Sequence, residues 1–374
     1  MKITMQRTSP NYRQKLSTYT IMNYLTLGLL VIVAFTIIKP FFVEDAGAAY
    51  ALEAVYIYLV SIGTALVTEA IWAKAHKKDI LQQYKTSFPW VTAIILALAL
   101  PIGTPLYVVG VGSFTAIFLG KLVYGGFGQN IFNPALVGRV IIHLSFGSSL
   151  STTLSEEIDA MASATPLATL ASQNWVTGGN FNYTLLDLFL GNHGGTLGET
   201  CVLLILLVGI VLAILKVFDY RIPLSYIGTV FILSSTFALI NGLNPIMYAC
   251  TQLCVGGVMF GAVFMATDPV TSPTSPLGKI IYGIGLGFLT MIIRLQANYN
   301  EGVLFSILIM NMLTPLIDSL ILGRTNQNIK KQILAIVIMI CVSIGCVAGI
   351  SVNLKNTQDT AITEEIGGTI YEDI

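Results

Sequence analysis

The sequence predicts an all-α, polytopic membrane protein of about ten or eleven transmembrane helices, folded as two inverted repeats with broken helices. Three observations predict it. Of 374 residues, 55% are hydrophobic and only 10% are charged. A soluble domain carries about 25% charged residues, so these are too few to cover a water-facing surface. Apolar runs near the ~20 residues needed to cross hydrocarbon recur along the chain. Two of those runs hold a glycine pair and an Asx-Pro pair, which points to helix breaks in corresponding halves.

The predicted spans are 21–42, 50–72, 90–110, 114–126, 131–148, 200–217, 223–241, 249–266, 280–293, 303–322 and 333–352. The first follows a basic start (Lys2, Arg7, Arg13, Lys15), as a signal peptide would. Its length and the lack of a small-x-small site before Lys39-Pro40 make it a first spanning helix instead. Positive charge orients the set. The basic amino terminus, the interfacial stretch Lys74, Lys77, Lys78 and Lys85, the pair Lys216 and Arg221, and Arg324 with Lys330 and Lys331 are placed on the cytoplasmic side. The acidic turn Glu44-Asp45, the loop 148–199 and the tail with Glu364, Glu365, Glu372 and Asp373 then face outward.

That loop of roughly 50 residues is too polar for hydrocarbon and long for a connection. It contains Asp159-Ala160-Met161-Ala162-Ser163-Ala164-Thr165-Pro166-Leu167, small residues that by themselves make a turn. The two interrupted runs are Gly125-Gly126-Phe127-Gly128-Gln129-Asn130-Ile131-Phe132-Asn133-Pro134-Ala135, and Gly256-Gly257 followed by Met265-Ala266-Thr267-Asp268-Pro269-Val270. They read either as paired breaks lining a site or as ordinary Asx-Pro turns at helix ends.

Asp268 is an ionisable residue beside such a break, so it either serves an ion path with Thr267, Thr271 and Ser272 or caps the next segment. Lys121 and Arg139 flank the first break; they pair an anionic group or snorkel to an interface. Arg294 and Glu301 are expected to form an interfacial ion pair. Cys250 and Cys254 lie one turn apart, as packing residues or as co-ligands of a metal; His143 and His193 lack ligand spacing. The five cysteines sit in or beside apolar runs with no Cys-x-x-Cys, so there is no disulfide scaffold and no iron–sulfur array. Zero net charge without a basic tract argues against nucleic acid as a partner. No Gly-x-Gly-x-x-Gly follows a strand.

Taken together, Ser9-Pro10, Ile21-Met22, the block from Lys121 to Gly138, Ala164-Thr165-Pro166-Leu167-Ala168, the run from Gly191 to Thr200, the block from Phe264 to Pro273, Glu301-Gly302-Val303 and Pro315-Leu316-Ile317-Asp318 resemble a known family. It comprises the D subunit of the Rnf ion-translocating ferredoxin:NAD oxidoreductase and the related B subunit of the sodium-pumping NADH:quinone oxidoreductase. The resemblance covers roughly residues 9–325. It implies a urea-transporter-like fold and FMN joined to Thr165 through a phosphoester. It also implies a flavin transferase that recognises Asp159, and a second, noncovalent flavin, riboflavin. Ala162 and Ser163 stand where the family has Ser or Thr and Gly. Lys121, Asn133, Arg139 and Ser163 are the further residues expected near the cofactor, and the ion path is expected near Asn133, Thr267 and Asp268. The implied partners are the A, B, C, E and G subunits of that complex, within a cell membrane.

The chain thus divides into a first membrane repeat (1–150), an outward flavin-bearing loop (151–199), a second repeat (200–325) and an added helix with a polar tail (326–374). The expected function is electron transfer through FMN coupled to Na+ or H+ movement. A non-redox channel or transporter of small solutes or cations is the alternative that the fold alone would suit, and a structural scaffold a third.

Overall fold

A computed structural model describes residues 17–43, 47–147, 166–172, 175, 183–199, 201–296, 302–321 and 329–372. Ser163, Thr165, Asp159, Glu301 and the acidic turn at 44–45 lie outside them. The described residues are almost wholly helical. They form α1 (Thr18–Ile38), α2 (Pro40–Val43), α3 (Gly47–Ala75), α4 (Ile80–Ser87), α5 (Pro89–Leu98), α6 (Leu106–Ile117) and α7 (Pro134–Phe146). After two short helices, α8 (Pro166–Ser172) and α9 (Leu185–Leu190), come α10 (Val202–Ile214), α11 (Arg221–Ile240), α12 (Pro245–Cys254), α13 (Val258–Phe260), α14 (Pro276–Gln296), α15 (Gly302–Ile321) and α16 (Ile329–Glu372).

Six helices are long and apolar enough to cross a membrane, and a seventh span is made if the bent pair Pro245–Cys254 and Val258–Met265 counts as one. Four shorter apolar helices accompany them: Pro89–Leu98, Leu106–Leu122, Pro134–Phe146 and Val202–Ile214. The chain is a multi-pass membrane protein. Side chains such as Leu27, Leu59, Ile71, Leu207 and Leu320 are exposed on the outside of this bundle, where lipid would cover them.

Two span predictions require correction. The expected helix 90–110 is interrupted: α5 ends at Leu98, and Pro101 and Pro105 prevent continuation before α6 starts at Leu106. Of residues 114–126, 114–122 are therefore the second half of Leu106–Leu122, which closes in a π-helical turn at Phe118–Leu122, and 123–126 follow in a turn. The expected span 249–266 is bent by 67°, at the predicted Gly256-Gly257. A second π turn, Gly261–Met265, follows it. The two glycine pairs do not occupy equivalent places, because Gly125-Gly126 lies after its π turn and Gly256-Gly257 before. What recurs is the order break, short helix, π turn, and π turns are rare and concentrate at functional sites.

Freed backbone groups at each break find partners. Arg294, 0% exposed on α14, donates Nη1 to the Gln252 carbonyl at 2.8 Å and to its Oε1 at 2.9 Å. Its Nη2 donates to the carbonyls of Val255 at 2.7 Å and Gly256 at 3.3 Å. A cation at a helix C-terminus also suits the helix dipole. Gly256 has φ +70°, and a Cβ there would lie 2.5 Å from Nη2, so only glycine fits. At the first break the chain after α9 props the backbone: Pro101 bridges Thr196, and Leu197 N–H donates to Leu100 O at 2.9 Å.

Small residues let helices approach closely, as in other membrane bundles. A Cβ on Gly138 of α7 would meet Gly112 O of α6 at 2.4 Å. Polar clips add to this: Tyr226 Oη lies 2.8 Å from Thr290 Oγ1, which lies 2.9 Å from Ser306 Oγ. The added helix α16 is 44 residues long, about 66 Å, so it far exceeds a ~30 Å hydrocarbon core. The expected polar tail continues it instead of ending it. Its Ser351 hydroxyl accepts from Asn241 at 2.8 Å.

Arg294→Met should leave the carbonyls of residues 252, 255 and 256 without donors and cost about 3 kcal/mol or more. Arg294→Lys keeps the charge but not the planar fork, and should fall between. Thermal unfolding in detergent would check both.

Candidate functional site

A cleft of about 680 Å³, counted with its open mouth, lies between the two broken segments. Lys121, Asn133, Thr267 and Asp268, all singled out from the sequence, line it together with Phe88, Phe127, Asn130, Phe218 and Phe264. The rest of its wall is mostly apolar, the usual character of a ligand site. Ser87 and Phe88 follow the basic stretch at 74–85, and Val217 and Phe218 lie between Lys216 and Arg221. Met22 brings the start of α1 to the same place. Chain beside two of the basic stretches, 74–85 and 216–221, therefore meets at this cleft.

Lys121 sits in the π turn and is 1% exposed, so it does not snorkel. Its Nζ pairs with the Glu69 carboxylate at 3.1 Å, donates to the Ser87 carbonyl, and lies 5.7 Å from the centre of the Phe127 ring. Ser87 Oγ in turn donates to Glu69. Phe88, at φ +50°, turns the chain between α4 and α5 at this point. The second Glu69 oxygen, Oε2, is buried without a hydrogen-bond partner among the described residues. Glu69 was not singled out from the sequence. Its signal was a carboxylate inside the apolar run 50–72, which by default marks a paired or functional residue.

Asp268 does not cap a helix, since α14 begins at Pro276. Its carboxylate accepts from the Val270 N–H at 3.3 Å and the Thr271 hydroxyl at 3.2 Å. The Asn130 amide and the charge of Lys121 also act on it. Asn133 caps α7, accepting from Ala135 N–H at 3.1 Å with Pro134 in the first turn. Its Nδ2 donates to Met265 O at 3.0 Å, at the end of the other π turn. Asn311 joins here, donating to the Tyr282 hydroxyl at 2.7 Å and accepting from Asn133 N–H at 3.1 Å. One Asn thus ties the first Asx-Pro corner to the second broken segment.

Arg139 is not in this cleft. It is 2% exposed and lines a second cavity of about 360 Å³ with Ala99, Thr196, Glu199, Gly256, Gly257 and Phe260. Leu167, two residues past Thr165, packs where a Gly256 Cβ would be, 2.7 Å from it. Arg294 belongs to the helix break, and its expected partner Glu301 lies outside the described residues. His143 packs edge-on near Phe305, and His193 Nδ1 lies 3.0 Å from Gly194 O. Among the described residues no three His, Cys, Asp or Glu side chains gather as a metal site. Cys254 is buried and Cys250 partly so, both free.

The chain matches the family described as NQR2, RnfD, RnfE over residues 5–327. It belongs to that family. It is 39% identical over 332 residues to the D subunit of the Na(+)-translocating ferredoxin:NAD(+) oxidoreductase complex of Acetobacterium woodii, covering 87% of this chain and 96% of that protein. It is 38% identical over 279 residues to the D subunit of the proton-translocating complex of Clostridium ljungdahlii, covering 72% and 82%. The D subunit of the ion-translocating oxidoreductase complex of Stutzerimonas stutzeri is 36% identical over 297 residues, covering 71% and 82%. The NQR2, RnfD, RnfE match ends at residue 327, before α16.

Outside the spans, Asp219 bonds the Arg221 N–H and the Lys279 ammonium, each at 3.1 Å. Burial would raise its carboxyl, but these donors outweigh it and hold the group below the usual carboxylate range. Its stabilisation is present above an unfolded value of about 3.9 and lost as pH falls through the lower folded value. Asp219→Asn should therefore flatten the acid limb of a stability–pH curve. For the buried pair, Lys121→Met alone should cost about 3–5 kcal/mol by stranding Glu69, and Lys121→Met with Glu69→Met should recover most of it. A double-mutant cycle of unfolding midpoints measures this.

Proposed function

We propose that this chain is the D-type membrane subunit of an Rnf-type complex, in which ferredoxin:NAD oxidoreduction is coupled to Na+ or H+ translocation. The observation that carries the reading is the family match together with a buried Glu69–Lys121–Asp268 array at the meeting of two broken segments. Ionisable groups at membrane depth mark ion or proton pathways, and irregular backbone there lines a site. The relatives are named for both ions, so either cation fits. Asn133 and Thr267 supply further oxygens beside Asp268, the chemistry a hard cation takes. The two halves are proposed to be inverted copies of one unit.

The flavin is proposed to be FMN, esterified through its phosphate to Thr165. A flavin would exchange one or two electrons between clusters and nicotinamide held by other chains. Arg139 and Thr196 line the cavity against which the chain just past Thr165 is packed, and a guanidinium suits a phosphoryl group. Ser163 would stand beside the attachment point. A second, noncovalent flavin, riboflavin, is also proposed. The A, B, C, E and G subunits of the complex and a flavin transferase acting at Asp159 and Thr165 are the proposed partners, with lipid around the bundle. Coupling arises where reduction changes which arrangement of the cleft is favoured.

Denaturing electrophoresis of the purified complex should show flavin fluorescence on this chain that Thr165→Ala abolishes. A dark wild-type band in cells that possess the transferase favours the non-redox channel reading. Asp268→Asn should lower ion transport several-fold with flavin content unchanged; undiminished transport removes Asp268 from the path.

A further inference from the structure

The outer chain is attached to the second helix break by more than packing. Arg294 Nη1 donates to Gln252 Oε1 at 2.9 Å. Gln252 Nε2 donates to Tyr248 Oη at 3.0 Å, and Tyr248 Oη donates to the Trp175 carbonyl at 2.9 Å. All four residues are buried. Every link runs in one direction, from a fixed cation to a loop carbonyl, so each bond polarises the next. Trp175 itself stands at φ +64°, a genuine outlier for a bulky residue. Its N–H closes back on Leu170 O at 2.8 Å, which ties Trp175 to α8. Such strain persists only where surrounding contacts over-determine it, and here the contacts are the Tyr248 bond and Leu167 seated on Gly256.

We infer that the hydrogen-bond chain Arg294–Gln252–Tyr248–Trp175 is a positioning element that holds the segment after Thr165 on the broken helix. The inference rests on the proposed flavin at Thr165. The same guanidinium satisfies the broken helix and heads the chain to the loop, so the loop and the break move as one body. Electron transfer depends steeply on distance, and this body sets where the attached ring stands. Tyr248 and Gln252 are positioning residues and touch no reacting atom.

Tyr248→Phe removes only the bridging hydroxyl and keeps the ring, which stacks on Phe237 at 5.5 Å between centroids. Gln252→Glu is the second variant. Its carboxylate still accepts from Arg294 but now also accepts from Tyr248, turning that proton away from Trp175. Both variants are assayed in the purified complex. Flavin fluorescence under denaturing conditions should equal wild type. Hydrogen exchange of amides 167–175 should quicken about fivefold, the loss of one net hydrogen bond, with the rest of the bundle unchanged. Flavin reduction after mixing with reduced ferredoxin should slow several-fold in both variants. Faster exchange with unchanged flavin reduction overturns the inference, leaving a purely structural tether, and so does unchanged exchange in both. A wild-type chain without flavin instead removes the reading beneath it, before either variant is compared.

Discussion

Interrupting a helix inside hydrocarbon leaves carbonyls that water cannot reach, and the rest of this structure depends on how those carbonyls are satisfied. An unpaired backbone group there costs several kcal/mol. At the second break a single guanidinium meets three carbonyls and a side-chain amide. The planar fork of arginine suits the task better than a lysine would. Gly256 then has to be glycine, because the guanidinium and Leu167 fill the space of a side chain. The first break is held differently, by backbone bonds to Thr196 and Leu197 in the chain after α9. Both breaks are thus stitched to the chain between α7 and α10.

Lys121 performs a related task at the other end of the bundle. It donates to Ser87 O where α4 ends, and its charge is balanced by Glu69. Burying two ions is costly and gives little net stability, so a purely architectural pair would be an odd choice. The pair makes sense if charge at that depth is used. Asp268 stands across the same cleft, and Asn133 links the two broken segments beside it. Any change in the charge balance there acts on both segments at once, because Asn133 and Asn311 join them.

The added helix α16 follows a different logic. One face carries Ser343, Val347 and Ser351 inward, and the opposite face exposes Ile338, Val342 and Val352. Among the described residues none of its side chains lines either cavity. Its attachment through the Asn241–Ser351 bond is a polar clip of the kind that holds membrane helices together when apolar burial offers no drive.

Much of this was legible in the residues. Composition alone demanded a membrane solvent, since 10% charge cannot clothe a water-soluble surface. Gly256-Gly257 announced a break because paired glycines weaken a helix. Lys121, Asn133, Thr267 and Asp268 drew attention as polar groups in apolar surroundings, and they do share one cleft. Local signals failed where they are intrinsically weak. The run 90–110 looks continuous, because apolarity extends across a proline-rich corner and hydropathy does not register backbone direction. Glu69 and Lys121 are 52 positions apart in the sequence, and nothing local pairs them. The sequence by itself determined the class of solvent, the break at Gly256-Gly257 and the kind of residue beside it, since these follow from composition and backbone chemistry. Only the tertiary structure decided which charge meets which. It sent Arg139 to a different cavity from Lys121 and put Arg294 on carbonyls 38 to 42 residues away, because such pairings depend on how distant helices cross.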